Sequence, residues 1–401
     1  MTSRPLDGVR VLALEQMQAL PFATQLLARL GAEVVKVEPP SGEQGRASTP
    51  AIADPAGRPV GATFLRNNLN KRTMSIDLKQ AAGRELVLRL APRFDVVAEN
   101  FKAGTMQRLG LGFDDLSAVH PTCVYLSISG FGSTRETPYS SWPAFAPVVE
   151  AMSGIYEWKR PDDAPPIVAP AGALGDISAA LFATVGVLAA LRQRDRTGTA
   201  QLVDIAMYDA MVALADIIPN FWSLGLRRGA GVPIIQHAFR ARDGYFIVQA
   251  GREHQFTRLV EMIGHPEWAK DPRFATRQGW VDHVDDVLRP AIESWAAGRT
   301  KTDASATLSA AGIAAGPCFT DEEVVRDEHL LSRNMLVAMP RVDGVDQPVL
   351  TPGNPVKISG VPDGPDVRVP WLGEHTRQIL DQELGLSPAD IETLYGDGVV
   401  S

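Results

Sequence analysis

Apolar residues along this chain fall into two rhythms, short unbroken runs and longer stretches spaced three and four apart. Residues 9–14 (VRVLAL) predict a strand. Residues 22–30 carry apolar side chains at helical spacing, Gly31 stands where a glycine ends a helix, and 33–38 (EVVKVE) predict a second strand. Strands joined through a helix lie parallel in one sheet. The alternation continues with strands expected over 73–77, 95–98 and 124–128, a helix near 81–90, and a turn at Gly130-Phe131-Gly132. Residues 161–170, rich in Pro and Asp, read as a loop before an Ala-rich helix over about 177–192 and a further helical segment over about 205–224. Residues 238–248 predict a hairpin with Asp243-Gly244 at its turn, followed by helices near 255–263 and 282–297, and a last helix near 375–384.

These patterns divide the 401 residues into a large domain over 1–200, a linker helix region over 201–228, a small α+β domain over 229–319, and a linker over 320–401 that returns to the large domain. The polar start lacks a basic-then-apolar signal pattern, and the apolar run near 179–191 is short and Ala-rich for a bilayer span, so a cytoplasmic location is expected. Cys123 and Cys318 form no C-x-x-C, and the seven His residues show no paired ligand spacing, which disfavours a disulfide framework or a structural metal. A net charge of −8 without a long basic run disfavours nucleic acid and points to a small-molecule partner.

The turn after the first strand, Glu15 to Pro21, has no glycine, so it lacks the backbone approach a dinucleotide pyrophosphate needs. Neither G-x-x-x-x-G-K-[ST] nor G-x-S-x-G occurs. The informative stretch is Gly172-Ala173-Leu174-Gly175-Asp176-Ile177-Ser178 at the mouth of the long helix. Asp176 there is either an N-cap accepting from the first-turn N–H groups, or a carboxylate held ionised by the helix dipole and free to attack an acyl group. In the second case, Gly175 lets a thioester approach the backbone.

Pro5-Leu6-Asp7-Gly8-Val9-Arg10-Val11-Leu12, Leu30-Gly31-Ala32-Glu33-Val34-Val35-Lys36-Val37-Glu38, Asn70-Lys71-Arg72, Glu99-Asn100-Phe101-Lys102-Ala103-Gly104, Ser129-Gly130-Phe131-Gly132, Gly175-Asp176, Val203-Asp204-Ile205-Ala206-Met207, Asp271-Pro272-Arg273-Phe274 and Ala311-Gly312-Ile313 follow one another in an order and spacing that resemble the class III CoA-transferases of the CaiB/BaiF type. That family includes formyl-CoA transferases and the 2-methylacyl-CoA racemases. The resemblance implies an α/β fold: a Rossmann-like large domain formed by both chain ends, a smaller inserted α+β domain, and an interlocked homodimer. It makes Asp176 the nucleophile that takes CoA from an acyl-CoA and passes it to a carboxylic acid, through an aspartyl anhydride and an enzyme-CoA thioester. Only a carboxylate nucleophile becomes an acyl carrier able to hold CoA as a thioester. The resemblance further implies that Gln18 assists at the oxyanion. Lys36, Asn70, Lys71, Arg72, Asn100, Arg108 and Met207 fall in regions that hold CoA, a substrate here, with no tightly bound cofactor expected.

The racemase branch needs a His before the nucleophile. Phe145 takes that place, with Ala146 and Pro143 beside it, so racemisation is disfavoured and an apolar pocket wall, suited to an acyl group larger than formyl, is expected. Glu150 is a nearby carboxylate of unknown direction, and the loop 249–254 carries one glycine where many relatives have several. Two alternatives remain: an isomerase acting α to an acyl-CoA carbonyl with Asp176 as its base, and a non-catalytic acyl-CoA-binding role.

Overall fold

Six apolar runs pair side by side. In the computed structural model, which describes residues 4–169, 172–227 and 231–401, β1 (Arg10–Leu14), β2 (Glu33–Glu38), β3 (Lys71–Ser75), β4 (Val96–Glu99), β5 (Val124–Ser129) and β6 (Gln201–Ala206) form one sheet in the order β3-β2-β1-β4-β5-β6. Every pair is parallel, with Val11 opposite Val34 on one side and Val96 on the other. This is the strand order of a Rossmann-like sheet. Such sheets are covered on both faces, which is why β1 reads as continuously apolar rather than alternating.

Side chains alternate across the sheet. Val11 and Ala13 pack towards α1 (Ala19–Arg29) and the Ala-rich inner face of a long helix, while Leu12 and Leu14 pack against Ile379, Leu380 and Ile391 from the end of the chain. Three further elements carry the site: α2 (Ala62–Asn67), α3 (Ala146–Met152) and the long helix itself, α4 (Leu174–Thr197). α4 ends at Gly198, whose φ of 67° closes the helix in the left-handed region. By length and composition α4 could cross a bilayer, and half of its apolar window is buried in the fold.

Two expected boundaries change. The helical segment expected over 205–224 is helical from Met207 on, as α5 (Met207–Leu214) and a short helix, Ile217–Ser223, while residues 205 and 206 end β6. β6 is a half-buried edge strand, so its pattern lacks the apolar run of the central strands. α4 begins at Leu174, three residues earlier than expected.

By contacts the chain forms two compact units, Met1–Arg228 with Ser332–Ser401, and Gly229–Leu331. The second has its own core around Phe239, Phe246 and Leu288, and a three-stranded antiparallel sheet of Ile235–Ala241, Gly244–Ala250 and Ala314–Pro317. The expected hairpin is there, with Gly244 opening its second strand. Pro170, Arg228 and Gly229, where the sequence pattern ends a loop or changes domain, lie outside the described residues.

Candidate active site

A Rossmann-like sheet offers a crevice where the chain leaves its first strand one way and its fourth the other, beyond the carboxyl ends of the strands. A cavity of about 460 Å³ lies there, lined by the turn after β1, by residues 100–103 after β4 and by residues 130–132 after β5. Among the described residues, its charged lining side chains are Asp176, Arg66 and Lys102.

Asp176 is the third residue of α4, whose N-cap is Ala173. The N-cap reading therefore falls, and the carboxylate lines the cavity instead. Burial pushes its pKa up to about 6, helped by the charge of Glu150; the Ala19 N–H and Arg66 pull the other way. Ala19 opens α1, so the N-termini of two helices converge on this carboxylate.

Glu150, on α3, is fully buried. It accepts from the Gly175 N–H at 3.0 Å and from the Tyr156 hydroxyl, which in turn accepts from the Ala169 N–H at 3.0 Å. Its carboxylate thus occupies the first turn of α4, beside the nucleophile. Gly175 lies against α3. A Cβ there would sit 2.7 Å from Val149 Cγ2 and 3.0 Å from Ala146 Cα, so this glycine exists to let α3 and α4 touch.

Gln18 lies on the turn between β1 and α1. Its Oε1 accepts from Arg66 Nη2 at 2.8 Å, which turns the amide nitrogen away from that pair. The turn is strained at Met17, with φ at 61°. Asn100 fixes it from both sides, accepting from the Gln16 N–H and donating to the Gln16 carbonyl, each at 2.9 Å. Asn100 and Met207 both line the cavity. Phe145, Ala146 and Trp142 supply an apolar wall.

Five of the expected CoA ligands, Lys36, Asn70, Lys71, Arg72 and Arg108, are not at this cavity. Lys71 is sealed inside, with its ammonium 2.7 Å from Glu15 and bonded to the Pro21 carbonyl and Asn68. Lys36, also fully buried, lies 3.5 Å from Glu15 and 3.7 Å from Glu43. Each is the counter-charge of a buried carboxylate. Asn70, Lys71 and Arg72 line a different cavity, of about 360 Å³, where the Lys71 side chain stays unexposed, Asn70 bonds Asp366 and Arg72 pairs with Glu33. Arg108 is exposed outside the cavity lining, bonded to Thr105 Oγ1 at 3.0 Å. Lys102 is also exposed, on the cavity rim. In the second unit, the Gly251 and Arg252 N–H groups both bond Gln255 Oε1, so this segment is a turn capping the helix Glu253–Met262.

Arg66 was not legible in the sequence as a site residue. A single cation near the end of a short helix has the same pattern as a solvated one, and only the fold puts it half-buried beside Gln18.

A family model described as CoA-transferase family III matches residues 6–376. The chain is 36% identical to the succinyl-CoA–D-citramalate CoA-transferase of Chloroflexus aurantiacus, over 99% of this chain and 98% of that one. It is 34% identical to the succinyl-CoA:mesaconate CoA-transferase of Haloarcula hispanica, over 94% and 96%. A crystal structure of a CaiB/BaiF family protein from Brucella suis matches with a TM-score of 0.83 at 33% identity, covering 95% of this chain and 99% of that one.

Proposed function

Because the chain belongs to CoA-transferase family III, and so moves CoA from an acyl-CoA to a carboxylic acid, we propose that it does so through Asp176. The observation that carries this is a carboxylate in the first turn of a long helix, facing a cavity where the other charged groups among the described residues, Arg66 and Lys102, are cations. The Asp176 carboxylate attacks the donor thioester carbonyl and expels CoA thiolate, leaving an aspartyl-acyl anhydride. The thiolate attacks the aspartyl carbonyl, releasing the donor acid and leaving an aspartyl-CoA thioester. The acceptor carboxylate then attacks that thioester, CoA leaves again as thiolate, and its attack on the acceptor's acyl carbonyl restores the Asp176 carboxylate.

Each attack on the aspartyl carbonyl builds an oxyanion beside the Ala19 N–H and the Gln18 amide, donors fixed by α1 and by the Arg66–Gln18 bond. Lys102 on the rim and Arg108 beyond it suit the CoA phosphates, and Met207 with the Trp142–Ala146 wall suits the acyl and pantetheine chain. The relatives' names support succinyl-CoA or a similar short acyl-CoA as donor and a small carboxylic acid as acceptor. The working enzyme is a cytoplasmic, interlocked homodimer, with the second unit as its inserted smaller domain and no tightly bound cofactor.

Incubation with succinyl-CoA is expected to add one CoA to the intact protein, on the peptide holding Asp176 and labile to hydroxylamine. Asp176→Asn should show no adduct and lose at least about a thousandfold in turnover. An adduct on another residue, or full turnover in the Asn variant, defeats the assignment.

A further inference from the structure

Arg66 is the cation inside the cavity, half-buried on α2 and held by one described bond, to Gln18. Among the described residues it makes no ion pair, although it feels the charge of Asp176. A guanidinium has five N–H donors, and those facing the cavity lose water once an acyl chain fills the space. An unpaired charge left in such a place is costly.

In the resting enzyme Asp176 supplies the balancing charge. In both the anhydride and the thioester, the Asp176 side chain is neutral, so that balance disappears while the acyl groups are being exchanged. Glu150, beside the nucleophile, is buried behind the lining and already bonded to Gly175 and Tyr156, and apart from Lys102 the remaining described lining is uncharged, including Phe131, Trp142 and Phe145. A carboxylate on the bound acyl group would restore the balance. A monocarboxylic acyl group brings none once it is esterified. A dicarboxylic one brings its spare carboxylate, which an Arg fork holds well.

We propose that Arg66 is a specificity-determining residue that binds the remote carboxylate of a dicarboxylic acyl group, making short dicarboxylates the preferred substrates. This rests on Asp176 being the carrier. The test is the half-reaction with two four-carbon donors, succinyl-CoA and butyryl-CoA, which differ in the terminal group. Formation of the enzyme-CoA adduct is followed by intact mass. Wild type should prefer succinyl-CoA. Arg66→Met should lower the succinyl-to-butyryl ratio of kcat/KM by about 10- to 100-fold, the range for a charged hydrogen bond, and Arg66→Lys should recover part of it. An equal loss with both donors overturns the proposal and places Arg66 on the reacting carbonyl or on Gln18 alone. On the wild type itself, equal discharge of the adduct by succinate and by butyrate overturns it as well, whether or not the variants fold. Absence of an adduct with either donor would instead refute the carrier role of Asp176.

Discussion

At the scale of single residues, two carboxylates share the first turn of α4 and have opposite situations. Glu150 is buried and bonded to Gly175 and Tyr156, while Asp176 faces the cavity with its pKa raised to about 6 by burial and by Glu150. Asp176 must be ionised to attack, so the rate of adduct formation from donor is expected to rise with pH through about 6 and level off above 7. Glu150→Gln removes one of the two raising causes and should move that midpoint down, readable in a single-turnover pH profile. A midpoint that does not move would show that Glu150 acts through structure alone. The same shift has a stability cost. The folded state holds the Asp176 proton more tightly than the unfolded chain, so this group's contribution is full below pH 4 and lost as pH rises through about 6. Asp176→Asn is therefore expected to be more stable than wild type at pH 7.5, by on the order of 1–3 kcal/mol, as a rise in melting temperature.

At the scale of elements, the nucleophile is positioned by the contact of α3 with α4, which depends on Gly175 having no side chain. Gly175→Ala would drive a methyl into Ala146 and Val149. It should cost about 1–3 kcal/mol and lower the rate of adduct formation, because Asp176 and Glu150 shift together. Denaturant unfolding together with single-turnover kinetics would check this, and an Ala variant with full rate would separate the helix contact from catalysis. The central strands, α1 and the helix bearing Asp176 were legible in the sequence because their periods are strong and both faces of the sheet are covered. β6 was not, since a half-buried edge strand running straight into α5 carries no clear period. Charges were the least legible feature. Lys36 and Lys71 have the residue types of phosphate ligands, but in the fold they neutralise Glu15 and Glu43 inside the protein. Arg66 has the pattern of a surface residue and faces the cavity instead.

At the scale of the whole molecule, α4 presents two different faces. Ala179, Ala180, Ala183 and Val187 pack inward, while Leu181, Phe182, Val185 and Leu188 are exposed, Val185 by 65%. An apolar stripe of this kind is rarely left to water. A bilayer or a second chain could cover it, and the first turn of the same helix argues for the chain. Asp176 there lines a cavity that must admit CoA and free acids from water, beside a sheet whose two faces are already covered. Leu214, Trp222 and Leu224 are further exposed apolar residues, as a two-fold interface would need. Light scattering is therefore expected to give twice the chain mass of 43.2 kDa. Val185→Glu with Leu181→Glu should shift the protein towards single chains and lower turnover. A fully active single chain, or wild-type protein that floats with lipid vesicles, would show that something other than a second copy covers this face.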